Sequence, residues 1–247
     1  MATYNGSPYI HEQIASILPQ MEQGDELIVV DDHSEDNTKE VVEGFSESRM
    51  KFVQNERNFG IVRTFERALH LATGDVIFLS DQDDVWRDDK IRAVLDVFDA
   101  DPLVSLVVSS VEGIDMSGSP LPRSVRDRST FRGGVLRTLI KNSYQGCTMA
   151  FRKSVAEASL PFPAGIPMHD SWIGLVNSLI GKAHFLDLPL VRYRRHGQNA
   201  TGIRRLTPYQ RIAGRWSMCT NLIWRSRLLA RRGVNGRSGS NSVISAG

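Results

Sequence analysis

The chain has 247 residues, 41% hydrophobic and 23% charged, with 20 Gly and 10 Pro, a composition that excludes collagen, coiled coil and wholesale disorder and suits one large α/β domain with a tail. No apolar run reaches the ~18–20 residues of a membrane span, Met1 is followed by no basic, cleavable leader, and the two cysteines, Cys147 and Cys219, form no metal spacing, so a reducing, cytoplasmic setting is expected. The net charge of +2 hides a division: residues 188–247 hold twelve Arg and no acid, while the other 18 basic residues face all 28 acids in residues 1–187, giving a body of −10 and a tail of +12.

In chain order, Ser7 is predicted as an N-cap with Pro8 at the first helical position, and Ile10, Ile14, Ile17 and Leu18 follow at helical spacing, so a helix is expected over about 8–18. After Gly24, Leu27-Ile-Val-Val30 is a continuous apolar run ending in Asp31-Asp32, which reads as a buried parallel strand with an acidic C-terminal edge. Ser34 then opens a helix to about Phe45, Lys51-Phe-Val53 is a strand, and Ile61, Phe65, Ala68 and Leu69 mark a helix stopped by Gly74. The strand Val76-Ile-Phe-Leu79 also ends in acids, Asp81-Gln-Asp-Asp84, before a helix carrying Ile91, Val94, Leu95 and Phe98. Leu103 to Val108 completes an alternating pattern, and the fold class is α/β with a mostly parallel central sheet covered by helices. Residues 110–200 are less regular, punctuated by Gly133-Gly134, Gln145-Gly-Cys147 and Pro161-Phe-Pro163, and read as loops and mixed strands.

In open α/β sheets ligands bind beyond the C-terminal strand ends, and both acid clusters stand there. Crowded carboxylates such as Asp81, Asp83 and Asp84 repel one another, and a hard cation, Mg²⁺ or Mn²⁺, relieves that repulsion while joining a substrate phosphate. The bland alternative is a solvated acidic turn capping the next helix. Asp31 or Asp32 can bind a base or ribose hydroxyl, or can equally close an Asx-turn with Ser34. No G-x-G-x-x-G follows a strand and no G-x-x-x-x-G-K-[ST] is present, so a pyrophosphate here would need a metal. Asp170, in Met168-His-Asp-Ser-Trp172, fits a general base at a helix start or a plain N-cap. His196 fits a metal ligand or a surface histidine, and Arg194 and Arg195 are suited to a diphosphate or to solvent.

Taken in order, Ala2-Thr-Tyr-Asn-Gly6, Val30-Asp-Asp-His-Ser34, Asn58-Phe-Gly60, Gly74-Asp75, the Asp81 to Trp86 motif, Gly146-Cys-Thr-Met149, Met168-His-Asp170 and Tyr193 to Asn199 resemble the family 2 glycosyltransferases with the GT-A fold, over roughly residues 1–202. The wording of Ser80 to Trp86, with Met168-His-Asp170 and Arg195-His-Gly197, looks most like the rhamnosyltransferase branch that builds bacterial surface polysaccharides. The resemblance implies a nucleoside-diphosphate-sugar donor and a glycan or lipid-linked glycan acceptor. Ala2, Tyr4, Asp31 and Asp32 would serve the nucleotide, with Asp32 holding the base. Asp81, Asp83 and Arg195 would join in donor binding, and Asp83, Asp84 and His196 would hold Mg²⁺ or Mn²⁺, with Asp84 the first choice for direct contact. Asp170 matches the base of an inverting displacement. Two departures stand out: the family's first strand is almost absent ahead of residues 1–5, whether as a stub or because translation begins upstream, and His169 stands where many relatives carry Glu.

The expected organisation is therefore residues 1–203 as a GT-A-like domain, 204–232 as a basic amphipathic helical tail and 233–247 as disordered. In the tail, Tyr209, Ile212, Trp216, Cys219 and Ile223 form one helical stripe with Arg211, Arg215, Arg225 and Arg232 on the other side. That pattern predicts docking on an anionic membrane at the inner face of the cell, or else a stripe packed on the domain with solvated arginines. Rival readings are a receiver domain, which this acid cluster and length do not suit, a catalytically inactive relative, and a nucleic-acid binder using the Arg-rich tail. No nucleic-acid module accompanies the tail, and no nucleic-acid partner is expected.

Overall fold

The computed structural model describes residues 1–121, 131, 134–140, 142–197 and 207–233. In chain order its elements are β1 (Ala2–Thr3), α1 (Ile10–Ile17), β2 (Leu27–Asp31), α2 (Thr38–Glu43), β3 (Met50–Gln54), α3 (Ile61–Leu71), β4 (Val76–Phe78), β5 (Val85–Trp86), α4 (Lys90–Ala100), β6 (Val104–Ile114), α5 (Val135–Ile140), β7 (Met149–Arg152), α6 (Lys153–Ser159), α7 (His169–Ile180), β8 (Lys182–Arg194) and α8 (Pro208–Arg231). The expected Gly133, Asn199 and residues 234–247 lie outside the described residues, as do the side chains of Tyr209, Arg211 and Ile212.

The apolar run of β2 is buried along its whole length because both neighbours are parallel strands: Ala2 pairs with Val30 on one side and Leu27 with Met50 on the other. Within this sequence β1 comprises Ala2–Thr3, paired parallel with β2. Ala2 N donates to Ser80 O at 3.3 Å, so β1 also touches the chain just beyond β4, joining the sheet β1-β2-β3 to the sheet β4-β7-β6-β8-β5. The second sheet is mixed, with β7 antiparallel to β4 and β6, β5 antiparallel to β8, and β6 parallel to β8. The parallel part of the sheet therefore lies mainly in the first half, and the mixed strands fall in the less regular region.

Two helix starts differ from expectation for local reasons. Gly6 O accepts from both Tyr9 N and Ile10 N while Ser7 N donates to Asp36, so the chain turns once before α1 begins at Ile10. Ser34 does not open α2, because Asp31 takes both its N–H, at 2.9 Å, and its hydroxyl in an Asx-turn, and the helix waits until Thr38.

The tail corrects the expected assignment of faces. Trp216 and Ile223 of the predicted stripe are 72% and 55% exposed, joined by Trp224 at 57%, whereas the opposite face packs into the largest core cluster through Met218, Leu222 and Leu229. Arg225, expected in solvent, is 2% exposed. The reason lies in its partners: it reaches backbone carbonyls left over at the end of α6. Among the described residues no helix is long and apolar enough to cross a membrane.

Candidate active site

The ends of β2, β4 and β8 and the start of α7 carry the residues singled out above. Asp31 and Asp32, at the end of β2, are both buried and both used by the chain itself. Asp31 accepts from Ser34 N and Gln54 Nε2, each at 2.9 Å. Asp32 accepts from Asn55 Nδ2 at 2.7 Å, Phe59 N at 2.9 Å and Gly60 N at 2.8 Å. Asp32 is therefore the anchor of the Asn58-Phe-Gly60 loop, which turns through Gly60 at φ +85°, a conformation glycine adopts without strain. Ala2 is buried in the core cluster, while Tyr4 is exposed beside it.

Tyr4 is fixed by the acidic motif. Gln82 Oε1 accepts from Tyr4 N at 2.7 Å and Gln82 Nε2 donates to Tyr4 O at 3.0 Å, so the spacer residue between Asp81 and Asp83 ties the two loops together. Gly6 makes room for it, since a Cβ there would lie 2.5 Å from Gln82 Oε1.

The three acids of the motif have different surroundings. Asp83 Oδ2 lies 2.7 Å from His196 Nε2, whose ring stacks on Tyr9 at 4.9 Å between centroids. Asp84 lies behind, fully buried, with Oδ1 accepting from Arg194 N at 3.1 Å and Oδ2 without a hydrogen-bond partner. Burial, then repulsion from Asp83 and Asp81, pushes its carboxyl well above the usual range. Asp81 is pushed up to about 7 by burial and then by repulsion from Asp83 and from Asp170. The start of α7 reaches the same site through Gly146, where a Cβ would lie 2.9 Å from His169 Nε2, next to Cys147, whose Sγ is within 4.8 Å of Asp81 and Asp84 oxygens. Asp170 Oδ1 accepts from Asn142 Nδ2 at 3.2 Å and from Ser171 N, and it stands in the first turn of α7.

Arg194 and Arg195 separate completely. Arg194 is buried, donating from Nε to Asp83 O at 3.0 Å and from Nη1 to Met116 O at 3.1 Å, and pairing with Glu12. Arg195 is exposed, its guanidinium 5.8 Å from the Tyr193 ring.

Several supporting residues gave no usable sequence signal. Lys90 is a buried cation beside the motif, donating to Cys147 O at 2.8 Å and lying 3.8 Å from the Trp86 ring centre; burial lowers its pKa to about 7, opposed by Asp84 and Asp81. Asn142 orients the Asp170 carboxylate from an irregular segment. His169 stacks on Phe65 at 3.9 Å with neither ring nitrogen hydrogen-bonded, and burial lowers its pKa to about 3, so it is neutral. His169 is the exception, since the sequence comparison with the resembled family already marks it as a departure.

Chemically, the edge is a patch of carboxylates short of counter-charge. Asp83 with His196 offers an oxygen and a nitrogen donor suited to Mg²⁺ or Mn²⁺. Asp81, Asp84 and Cys147 also bring ligand atoms within 4.8 Å of one another. Burial and the two acids hold the Cys147 thiol well above its usual pKa, so it stays protonated and is a poor ligand. The orphaned Oδ2 of Asp84 and the repulsion that raises Asp81 are what a carboxylate cluster displays when it fits a cation.

Comparison with known proteins shows the fold and the family. The chain is 37% identical over 103 residues to the dTDP-rhamnosyl transferase RfbG of Shigella flexneri, covering 39% of this chain and 36% of that one. The chain spans 36–64% of the length of four curated relatives that it matches, RfbG among them. Its fold is similar to S. aureus TarS 1–349 in complex with UDP-GlcNAc, with a TM-score of 0.67 at 20% identity over 96% of this chain and 66% of that one. It is also similar to the mannosyltransferase PcManGT of Pyrobaculum calidifontis in complex with GDP-Man and Mn²⁺, with a TM-score of 0.61 at 20% identity over 97% and 74%. The architecture is thus the α/β fold of the GT-A glycosyltransferases. Residues 1–160 match the model of Glycosyl transferase family 2, and the chain belongs to that family.

Proposed function

We propose that the protein transfers a sugar from a nucleoside-diphosphate-sugar to a hydroxyl of a growing surface polysaccharide or lipid-linked glycan, with inversion at the anomeric carbon. The observation that carries this reading is the placement of the start of α7 beside the acidic motif, in a chain of this family: a Cβ on Gly146 would lie 2.9 Å from His169 Nε2, and the next residue, Cys147, has its Sγ within 4.8 Å of Asp81 and Asp84 carboxylate oxygens. Asp170 removes the proton from the acceptor hydroxyl as that oxygen attacks, and Asn142 keeps the carboxylate aimed. One carboxylate suffices because the leaving diphosphate is already activated. Asp83, His196 and the unpartnered Oδ2 of Asp84 would hold Mg²⁺ or Mn²⁺, with Asp81 adjacent and Asp84 Oδ1 fixed by Arg194 N. When bound, the metal neutralises charge on the departing nucleoside diphosphate. Exposed Arg195 would reach the same phosphates, and Tyr4, held by Gln82, would flank the base.

The likeness to RfbG favours rhamnose among candidate donors, and TarS and PcManGT, crystallised with UDP-GlcNAc and with GDP-Man and Mn²⁺, set the other arms of a panel. Release of nucleoside diphosphate from dTDP-rhamnose, UDP-GlcNAc and GDP-mannose, with Mn²⁺, Mg²⁺ or chelator and an oligosaccharide acceptor, tests the reading. The anomer formed, read by NMR, tests inversion. If no nucleotide sugar binds in the presence of metal, the reading is wrong.

The protein would work at the inner face of the membrane, lying on it through α8. Trp216, Ile223 and Trp224 share one exposed face with Arg227 and Arg231, and no acid follows Asp187. Apolar side chains flanked by cations suit an anionic bilayer surface.

A further inference from the structure

The segment from the end of α6 to the start of α7 carries Asp170, and it is irregular. It contains Pro161, Pro163 and Pro167, and Gly165 turns through φ +77°. Irregular backbone has no helical or sheet partners for its carbonyls, and here several are supplied by one distant helix. Arg225 of α8 donates from Nη1 to Ala158 O at 3.1 Å and Leu160 O at 2.5 Å, and from Nη2 to Pro161 O at 2.5 Å. It thereby caps the last turn of α6, which has no basic residue of its own. Trp172 of α7 donates to Ser159 O at 3.0 Å from beneath the same guanidinium, which lies 5.6 Å from its ring.

The contact continues along α8 toward the reacting group. Ser217 Oγ donates to Ala164 O at 3.4 Å, Gly214 lies against Pro167, and Met218 Sδ accepts from Ser171 Oγ at 3.7 Å. Ser171 follows Asp170 and gives its N–H to the Asp170 carboxylate. One face of α8 thus touches the segment from Ala158 to Ser171 at intervals. On the other side, Glu66 of α3 accepts from Phe162 N at 2.6 Å and closes the cradle.

We propose that α8 is a positioning element for the transfer step: Arg225 and Met218 set the place of Asp170 by fixing the segment that leads into α7. The inference rests on the reading of Asp170 as the base. It concerns the inward face of α8 and is independent of whether the outward face meets a membrane.

The test uses the full chain and compares Arg225→Met, Arg225→Lys, Met218→Ala and Asp170→Asn, at a temperature where each is folded by circular dichroism. Arg225→Met should lower kcat about tenfold or more while the KM for the donor stays within twofold. Arg225→Lys, which keeps a cation but not the fork, should fall between. Met218→Ala, which leaves every carbonyl partnered, should lower kcat severalfold and covers the case in which Arg225→Met does not fold. Hydrogen exchange should speed up at residues 160–171 and stay unchanged in β2. If both α8 variants keep the kcat of the parent while Asp170→Asn loses turnover, the positioning role is wrong and the base reading stands. Undiminished turnover in Asp170→Asn would overturn both.

Discussion

His196 Nε2 lies 2.7 Å from Asp83 Oδ2 although 113 residues separate them in sequence. The antiparallel pairing of β5 with β8, Val85 opposite Arg192 and Trp86 opposite Val191, brings the residues just before β5 alongside those just after Arg194. Their meeting is a property of sheet register. Asp83→Ala should therefore remove metal-dependent binding of a nucleoside diphosphate, by at least tenfold in calorimetry, and leave the melting temperature level or higher because repulsion on Asp81 and Asp84 is relieved. Metal-dependent affinity surviving in both Asp83→Ala and His196→Ala would show that the ion sits elsewhere.

Asp84→Ala should behave differently. It strips the partner from Arg194 N in a buried site and opens a void, at a cost of about 1–3 kcal/mol that offsets the repulsion it relieves. Thermal unfolding beside nucleotide affinity separates the two acids. Equal melting temperatures for Asp83→Ala and Asp84→Ala would contradict the supporting role given to Asp84.

For Asp170→Asn, donor binding should persist while turnover drops ~100-fold or more, the scale of a lost general base. Single-turnover kinetics with saturating donor make the measurement. A parallel loss of donor affinity would return Asp170 to the role of a structural cap.

His169 gives a pH dependence of known sign. Its pKa is lowered from 6.5 to about 3 in the folded protein, so between those values the unfolded chain binds the extra proton. Its contribution to stability is complete above about pH 6.5 and declines by about 1.4 kcal/mol per pH unit as pH falls toward 3. Asp81, pushed up to about 7, works the other way, its stability contribution declining as pH rises from the ordinary carboxylate range through 7. Comparing His169→Met with the parent isolates the histidine: urea unfolding at pH 7 and pH 4.5 should show the smaller acid loss in the variant. Identical losses would mean that His169 is not buried as a neutral ring.

A vesicle experiment separates the faces of α8. Replacing Trp216 and Trp224 together by Ala should abolish low-salt co-sedimentation with anionic vesicles and change stability by no more than about 0.5 kcal/mol per site, since both are largely exposed. Leu222→Ala, on the inward face, should cost about 2–5 kcal/mol and leave vesicle binding in the folded fraction. Failure of the full chain to bind such vesicles at low salt would remove the membrane from the account.

The sequence made the elements of the first half readable because each buried run there ends at a breaker or an acid. Leu27 to Val30 is apolar on both faces, as a strand between two parallel neighbours must be. That Asp31-Asp32 and Asp81–Asp84 each stand at or just beyond the C-terminal end of a strand was legible for the same reason. Which acid meets His196 was not, because it depends on the register of β5 against β8. The face of α8 that packs inward was obscured by Arg225, whose charge suggests solvent while its fork matches the backbone carbonyls at the end of α6. Asn142 and Lys90 act only through tertiary contacts and carry no local pattern at all.

The clamp between Gln82 and Tyr4 has a consequence for how the motif tolerates change. An amide both accepts and donates there, standing in for a strand neighbour to a single residue, and a carboxylate in its place would keep the acceptor, lose the donor to Tyr4 O and add a fourth negative charge to the run. Position 82 is thus restricted by shape and by hydrogen-bond direction. Because that one side chain grips both loops, Tyr4 is held in register with the acidic run, and Gln82→Ala would leave the Tyr4 N–H and carbonyl without this partner.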